Sequence, residues 1–249
     1  MNQPPIRKRW GQNFINDINF INKIITEFNP KKNDIILEIG PGRGALTFPL
    51  SKIVKKIYAI EIDPKLVELL ELNITPNTKI INNDILKYDL NTLDNNYKII
   101  GNLPYYITTP IIFKFFENLN WNKMTIMVQK EVANRIIASP GHKNYGRLSI
   151  MIQAYTSVKK HFDISPSLFE PKPKIYSSLI TLKPKSHIIS NKILFNQIVK
   201  KAFQKRRKML KNSLINFLTN DQIKTYGHLR PDAISVNDFI KISDSCIKE

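Results

Sequence analysis

Two hydrophobic periods alternate along the first three quarters of this chain. Ile35-Ile36-Leu37-Glu38-Ile39 is a short run of aliphatic residues broken once, the pattern of a strand buried on both faces of a parallel sheet. Gly40, Gly42 and Gly44 follow at every second position, and the apolar spacing from Ala45 to Val54 predicts a helix. Further strands are predicted at 56–60, 79–81, 97–100, 124–128, 158–164 and 175–182. Helices are predicted at 18–28 behind the N-cap Asp17, at 64–72 behind Pro64, and at 108–116, 130–138 and 147–156. Residues 1–16 show neither period, yet Trp10, Phe14 and Ile15 would be costly to leave in water, so part of this segment should pack down. Lys183-Pro184-Lys185-Ser186-His187 is a polar break, and only helices are predicted beyond it, at 192–204, 206–218 and 235–247. The expectation is an α/β domain over 1–186 and a small all-helical domain over 187–249.

Composition narrows the class. Of 249 residues, 42% are hydrophobic and 23% charged, which is ordinary for a globular protein. No apolar run approaches a membrane span, and no apolar core follows Arg7-Lys8-Arg9, so neither an anchor nor a signal peptide is expected and the chain reads as cytoplasmic. The single cysteine, Cys246, excludes an internal disulfide and a cysteine-based zinc site. His142, His161, His187 and His228 lack metal-ligand spacing, so no metal is expected. The formal net charge is +18, from 38 Lys and Arg against 20 Asp and Glu. That excess points to a polyanionic partner, although a chain so rich in Lys, Ile and Asn could owe part of it to A/T-rich codons.

Candidate chemistry sits at the strand ends. Glycine tolerates the backbone turn after residue 39 and lets a ligand approach closely, and the helix behind it would offer free N–H groups. Glu61 ends the second strand, 21 residues after Gly40, where a ribose-binding acid of a nucleotide-binding βαβ unit is expected. Gly40-x-Gly42-x-x-Ala45 satisfies the dinucleotide pattern, so a nicotinamide or flavin cofactor and S-adenosylmethionine both remain open, beside a plain glycine turn. Asp84, after the third strand, is either an acceptor for an adenine amine or a turn residue. Asn102-Leu103-Pro104-Tyr105 follows the fourth strand directly. Methyl transfer to an exocyclic base amine needs acceptors for the amine hydrogens, because the nitrogen lone pair is delocalised into the ring. The Asn102 side-chain oxygen supplies one, and a carbonyl at Leu103 or Pro104 the other. Tyr105 offers a face on which a flipped base stacks. Elsewhere in a chain, Asn-x-Pro-Tyr would be only a proline turn.

These strings have a family resemblance. Gly-Gln-Asn-Phe at 11–14, Glu-x-Gly-x-Gly-x-Gly at 38–44, Gly-Asn-Leu-Pro-Tyr at 101–105, Val-Gln-Lys-Glu-Val-Ala at 128–133, Tyr-Gly-Arg-Leu-Ser at 145–149, Phe-x-Pro-x-Pro-Lys at 169–174 and Phe-x-x-Arg-Arg-Lys-x-Leu at 203–210 resemble the bacterial ribosomal RNA adenine dimethyltransferases. The resemblance runs in order over essentially the whole chain. It implies a Rossmann-like class I methyltransferase domain, with a seven-stranded, mainly parallel sheet containing one antiparallel strand, plus the helical C-terminal domain. It implies S-adenosylmethionine as methyl donor and dimethylation of two adjacent adenosines in the 3′-terminal hairpin of 16S rRNA, late in small-subunit assembly, by a monomer. Carried over by motif, Asn13 and Ile15 lie against the cofactor, with residues 1–16 closing over it. Gly40 approaches its methionine portion, Glu61 binds its ribose and Asp84 its adenine. Asn102 stands at the reacting centre beside Leu103 and Pro104, and Tyr105 and Phe169 sandwich the target base. Tyr106 stands where the family pattern leads one to expect Asn.

The basic clusters then gain a role in RNA contact: Arg7, Lys8, Arg9, Lys172, Lys174, and the run Lys205, Arg206, Arg207, Lys208, unless that run is simply the solvated face of a helix. Three rivals stay in view. A 23S rRNA methyltransferase conferring antibiotic resistance shares the reaction. A nicotinamide-dependent oxidoreductase explains only the glycines. An assembly factor with lost catalysis would not need Gly40, Glu61, Asp84 and Asn102 together.

Overall fold

The computed structural model describes residues 5–7, 10–117, 119–186 and 189–246. In chain order the elements are β1 (Phe14–Ile15), α1 (Ile18–Phe28), β2 (Ile35–Ile39), α2 (Thr47–Ser51), β3 (Lys56–Glu61), α3 (Pro64–Glu71), β4 (Thr78–Asn82), β5 (Tyr97–Asn102), α4 (Thr108–Glu117), β6 (Trp121–Gln129), α5 (Lys130–Ile136), α6 (Arg147–Tyr155), β7 (Thr156–Ile164), β8 (Phe169–Glu170), β9 (Ser177–Pro184), α7 (Lys192–Gln204), α8 (Lys211–Leu214), α9 (Asn220–Tyr226) and α10 (Val236–Ser245). They form two compact units, residues 1–130 with 159–183, and residues 131–158 with 184–249.

The first unit is built on a seven-stranded sheet of order β4-β3-β2-β5-β6-β9-β7. The pairs β3–β4, β2–β3, β2–β5 and β5–β6 are parallel, and β6–β9 is antiparallel. This is the class I methyltransferase arrangement that the motifs implied. The aliphatic runs explain the middle of the sheet: Ile36, Leu37, Ile57, Ile99 and Ile100 are buried because helices cover both faces of a parallel sheet. Close strand packing also constrains sequence. A Cβ on Gly101 would come within 2.6 Å of the Ile39 carbonyl oxygen, so only glycine lets β5 lie beside β2 at the point where the site opens. Helix starts follow local rules. Asp17 accepts from the Phe20 amide at 2.7 Å, and Asp63 caps α3 with Pro64 just inside.

Two features of this unit depart from the periodicity. The helix expected over 45–54 is only α2, because Gly40, Gly42 and Gly44 all hold positive φ and the chain keeps turning as far as Leu46. The aperiodic segment before α1 forms β1, which pairs antiparallel with β8, Phe14 opposite Glu170 and Ile15 opposite Phe169. Phe14 and Ile15 are both buried there. Burying two such side chains contributes about 3–6 kcal/mol, enough to offset the roughly 2–4 kcal/mol of backbone entropy lost in ordering those two residues.

The second unit contains α5 beyond Lys130, α6 and all the helices after β9. The expected boundary at 186/187 falls near the Lys183/Pro184 junction, but residues 131–158 belong with the C-terminal helices rather than with the sheet. The reason is α6, whose residues are buried on nearly every side. Tyr155 packs edge-on against Phe195 of α7, and the Tyr145 hydroxyl donates to the Ile234 carbonyl at 2.9 Å. The helix expected over 206–218 is interrupted. Residues 205–210 turn instead, with the Leu210 and Lys211 amides bonded to the Leu229 and Gly227 carbonyls. A run of four cations with no acid among them gains nothing from helical stacking. The unexpected α9 starts at a capping box of Thr219 and Gln222, a signal that was present in the sequence.

Candidate active site

A crevice opens in the first unit at the C-terminal ends of β2 and β5, where the strand order reverses, the place at which open α/β sheets hold ligands. It encloses about 950 Å³ including its open mouth. Its wall includes Glu38 to Gly42 at the end of β2 and beyond it, Ile60 to Ile62 at the end of β3, Asn83 to Ile85 after β4, Asn102 at the end of β5 with Pro104 beyond it, and Trp10 to Ile15 of the N-terminal segment.

The predicted residues converge here. Asn13, Ile15, Gly40, Glu61, Asp84 and Asn102 all line the crevice, as does Pro104. Gly40 has φ +67°, and a Cβ there would meet nothing within 4 Å, so glycine is required by the backbone while the space in front of it stays open to a ligand. Glu61 is buried and organises the loop. Its Oε2 accepts from the Gly42 amide at 3.1 Å and its Oε1 from the Asp63 amide at 3.0 Å. The Gly42 N–H is therefore taken internally and is not free for a ligand. Burial raises the Glu61 pKa, against the pull of these amides. The Asp84 Oδ1 accepts from the Leu86 amide at 2.9 Å, so Asp84 is both a turn residue and a wall of the crevice.

Asn102 is held in one orientation. Its Nδ2 donates to the Asn13 carbonyl at 2.6 Å, and since only the nitrogen can donate to a carbonyl, Oδ1 is left as an acceptor at the crevice wall. Of the two carbonyls expected as a second acceptor, that of Pro104 already accepts from the Ile107 amide at 3.2 Å and the Thr108 hydroxyl at 3.1 Å. The Leu103 side chain itself is buried.

Charge decides the ligand class. The ionisable acids on the wall are Glu38, Glu61 and Asp84, and Arg43 is the one Lys or Arg among its lining residues. Burial pushes Glu38 up to about 7, opposed by the Thr47 hydroxyl that donates to it at 2.7 Å and reinforced by the nearby Glu61. A dinucleotide's pyrophosphate would face these carboxylates and find the Gly42 N–H already used. A cationic sulfonium nucleoside suits this acidic wall, to which Ile62, Ile85 and Ile107 add apolar surface.

Residues 4–243 match the ribosomal RNA adenine dimethylase family. The chain belongs to that family. It is 44% identical to the ribosomal RNA small subunit methyltransferase A of Wigglesworthia glossinidia brevipalpis, over 96% of this chain and 97% of the relative. It is 36% identical to the protein of that name from Marinomonas sp. (strain MWYL1), over 98% and 96%. The crystal structure of a dimethyladenosine transferase from Plasmodium falciparum superposes with a TM-score of 0.84 at 26% identity, covering 94% of this chain and 98% of that one. The 23S rRNA methyltransferase ErmE superposes with a TM-score of 0.72 at 21% identity, covering 93% and 100%, a likeness of fold. The enzyme is an rRNA adenine dimethyltransferase, and its methyl donor is S-adenosylmethionine.

Some expectations for this dimethylase change on inspection. Phe169 is 5% exposed and packs in the hydrophobic core with Ile15, Phe20 and Phe28, so its ring is not presented to a base. The β1–β8 pairing places it there, opposite Ile15. Tyr105 is half-buried outside the crevice lining, its hydroxyl 2.6 Å from the Ser177 Oγ, and burial raises its pKa. Arg7 is not turned outward. Its Nε lies 3.6 Å from the buried Asp63 carboxylate and its guanidinium over the Trp10 ring. Asp63 also accepts from Gln12 Nε2 at 3.0 Å, so it ties down the N-terminal segment. Lys8 and Arg9 lie outside the described residues. Lys172 and Lys174 are exposed. In the second unit Lys205, Arg206, Arg207 and Lys208 are all exposed, and Arg206 is also tied down, donating to the Lys143 and Tyr145 carbonyls and pairing with Asp232 at 3.4 Å.

Sequence reasoning did not single out Glu38, Asp63, Arg43 or Gln12 as site residues. Glu38 carried a signal, an acid within an otherwise aliphatic buried strand. The others act through long-range partners. Glu61→Ala removes an acid from the crevice wall and frees two buried amides, so S-adenosylmethionine affinity by calorimetry is expected to fall about 10- to 100-fold, the range for losing hydrogen bonds to a charged group. Unchanged affinity would remove Glu61 from the cofactor site.

Proposed function

We propose that this enzyme dimethylates the exocyclic amines of two adjacent adenosines in the 3′-terminal hairpin of 16S rRNA, late in small-subunit assembly in the cytoplasm. The observation that carries the chemistry is the fixed Asn102 amide, with Oδ1 turned away from Asn13 and the Leu103 carbonyl free of the turn that occupies Pro104. Two acceptors so placed would take the two hydrogens of one amine and draw its lone pair out of the ring plane. When bound, S-adenosylmethionine supplies an electrophilic methyl carbon on a sulfonium. The nitrogen–carbon bond forms as the carbon–sulfur bond breaks, and the amine proton leaves to water, so no strong general base is required. Two rounds at one nitrogen give the dimethylated base.

Glu61 would hold the ribose hydroxyls and Asp84 the adenine amine. Arg43, the cation among the crevice lining residues, lies over the Phe14 ring with its Nη1 3.7 Å from the Glu170 carboxylate, and its charge suits it to the carboxylate of the methionine portion. Because a base must leave its stack to reach Asn102, an unpaired hairpin loop is a better substrate than duplex. Lys172 and Lys174, with Lys205, Arg207 and Lys208 of the second unit, are exposed and suited to contact phosphates.

The test is transfer from labelled S-adenosylmethionine to unmethylated small ribosomal subunits, with large subunits and free rRNA alongside. Labelled dimethyladenosine confined to small-subunit RNA is the expected result. Label in large-subunit RNA would move the enzyme to the resistance type, and no label with cofactor bound would leave an assembly factor.

A further inference from the structure

Among the described aromatic residues only Tyr106 and Tyr176 are exposed, at 61% and 53%. Both flank the same point. Tyr106 directly follows Tyr105, Tyr176 directly precedes Ser177, and Tyr105 and Ser177 are joined by the 2.6 Å hydroxyl contact. One side of the Tyr106 ring is backed by the N-terminal segment, since a Cβ on Gly11 would lie 3.3 Å from it, and the ring reaches the mouth of the crevice that holds Asn102. Tyr176 is fixed through its backbone, its carbonyl accepting from the Lys130 amide at 3.0 Å, with Lys130 Nζ 5.6 Å from its ring. The exposed Lys172 and Lys174 precede it in the same loop. Exposed aromatic rings are costly in water, and two beside a reaction centre call for a partner with flat apolar faces and negative charge.

We propose that Tyr106 and Tyr176 are stacking platforms for two unpaired nucleobases next to the target adenosine, one on either side of the Tyr105 turn. The inference rests on the RNA-methylation reading above. Stacking suits the chemistry because it accepts any base and holds a loop splayed open, while the phosphates between the bases pass the neighbouring lysines. It also gives the exposed Tyr106 a use that the buried Phe169 does not supply. Both tyrosines act by positioning, since neither touches the reacting atoms.

The probe is a hairpin RNA of the small-subunit 3′ end with 2-aminopurine placed in turn on each side of the target adenosines, whose fluorescence falls on stacking. With the native chain, quenching is expected at both positions. Tyr106→Ala and Tyr176→Ala should each abolish quenching at one position and raise the RNA KM about 5- to 100-fold, the range for one lost base–aromatic stack. Tyr106→Phe and Tyr176→Phe should restore both, because the ring is what stacks. Tyr176→Ala should leave S-adenosylmethionine affinity unchanged. Alanine variants with native quenching and native RNA KM would overturn the proposal. Ring-dependent quenching without methyl transfer by the native chain would overturn the proposed function and leave the stacking surface standing.

Discussion

Asn102→Ala is expected to reduce the rate of methyl transfer by about 100- to 1,000-fold, the cost of removing one preorganised group that stabilises a transition state. The same substitution should weaken S-adenosylmethionine binding by no more than about tenfold, since it removes one ordinary hydrogen bond at the wall. The split follows from what each atom of the amide does. The Nδ2 donates to the Asn13 carbonyl and so holds the N-terminal segment against β5, whereas in the proposed reaction Oδ1 would meet the substrate amine only in the reacting complex. Asn102→Asp separates the two roles: it keeps an acceptor oxygen but sets a carboxylate oxygen against the Asn13 carbonyl, so it should lose both rate and cofactor affinity. Single-turnover transfer of labelled methyl, with calorimetry on the same samples, reads both numbers. Near-native turnover by the Asn102→Ala enzyme would take Asn102 out of the reaction.

Glu38→Gln is expected to change how the protein responds to pH. In the unliganded protein burial holds Glu38 at about 7, against a usual value of 4.5. The folded state therefore binds a proton more readily than the unfolded chain does. The stability that Glu38 contributes is full below about pH 4.5 and is lost as pH rises through about 7. At pH 8 an ionised, buried Glu38 then costs on the order of 3 kcal/mol, and glutamine avoids that cost while still accepting from Thr47. The glutamine variant should be the more stable protein at pH 8 and no different at pH 4, as thermal unfolding without cofactor would record.

Cofactor binding should move the other way. S-adenosylmethionine carries a net positive charge and prefers the ionised Glu38, so its affinity in the native protein should rise with pH. The limit is about 100-fold between pH 5 and pH 8, reached if Glu38 stays ionised in the complex. The glutamine variant should flatten this slope, and S-adenosylhomocysteine, without the sulfonium, should show a shallower one. A native pH profile as flat as the variant's would mean that the cofactor charge does not reach Glu38. Both results together would give the buried acid in this strand a role, lowering the stability of the empty enzyme and favouring the loaded one.

Much of this was legible along the chain. Every strand of the seven-stranded sheet was foreseen, the central β2, β3, β5 and β6 most directly from their apolar runs, because a strand buried on both faces has no polar alternative to offer. The cap at Asp17 is a local hydrogen bond over three residues, set by a side chain and an amide that are neighbours in sequence. Gly40, Glu61, Asp84 and Asn102 meet in the structure because each ends or follows a strand of one parallel sheet, and parallel strands bring their C-terminal ends to one edge.

Contacts between residues far apart were not legible in the same way. That Phe14-Ile15 pairs with Phe169-Glu170 across more than 150 positions draws Phe169 into the core, and neither short segment has a periodicity to announce it. Arg7 and Arg206 read as free cations in a basic sequence, yet one is turned to Asp63 and the other to Asp232 and two carbonyls. Likewise the Gly42 amide belongs to Glu61 rather than to a ligand. Strand character and helix caps are set by neighbours a few bonds away, so composition and spacing carry them. The direction of a charged side chain, the burial of an aromatic ring and the free lone pair of an amide depend on which distant group arrives beside it. Only the packed sheet and its N-terminal cover bring those groups together.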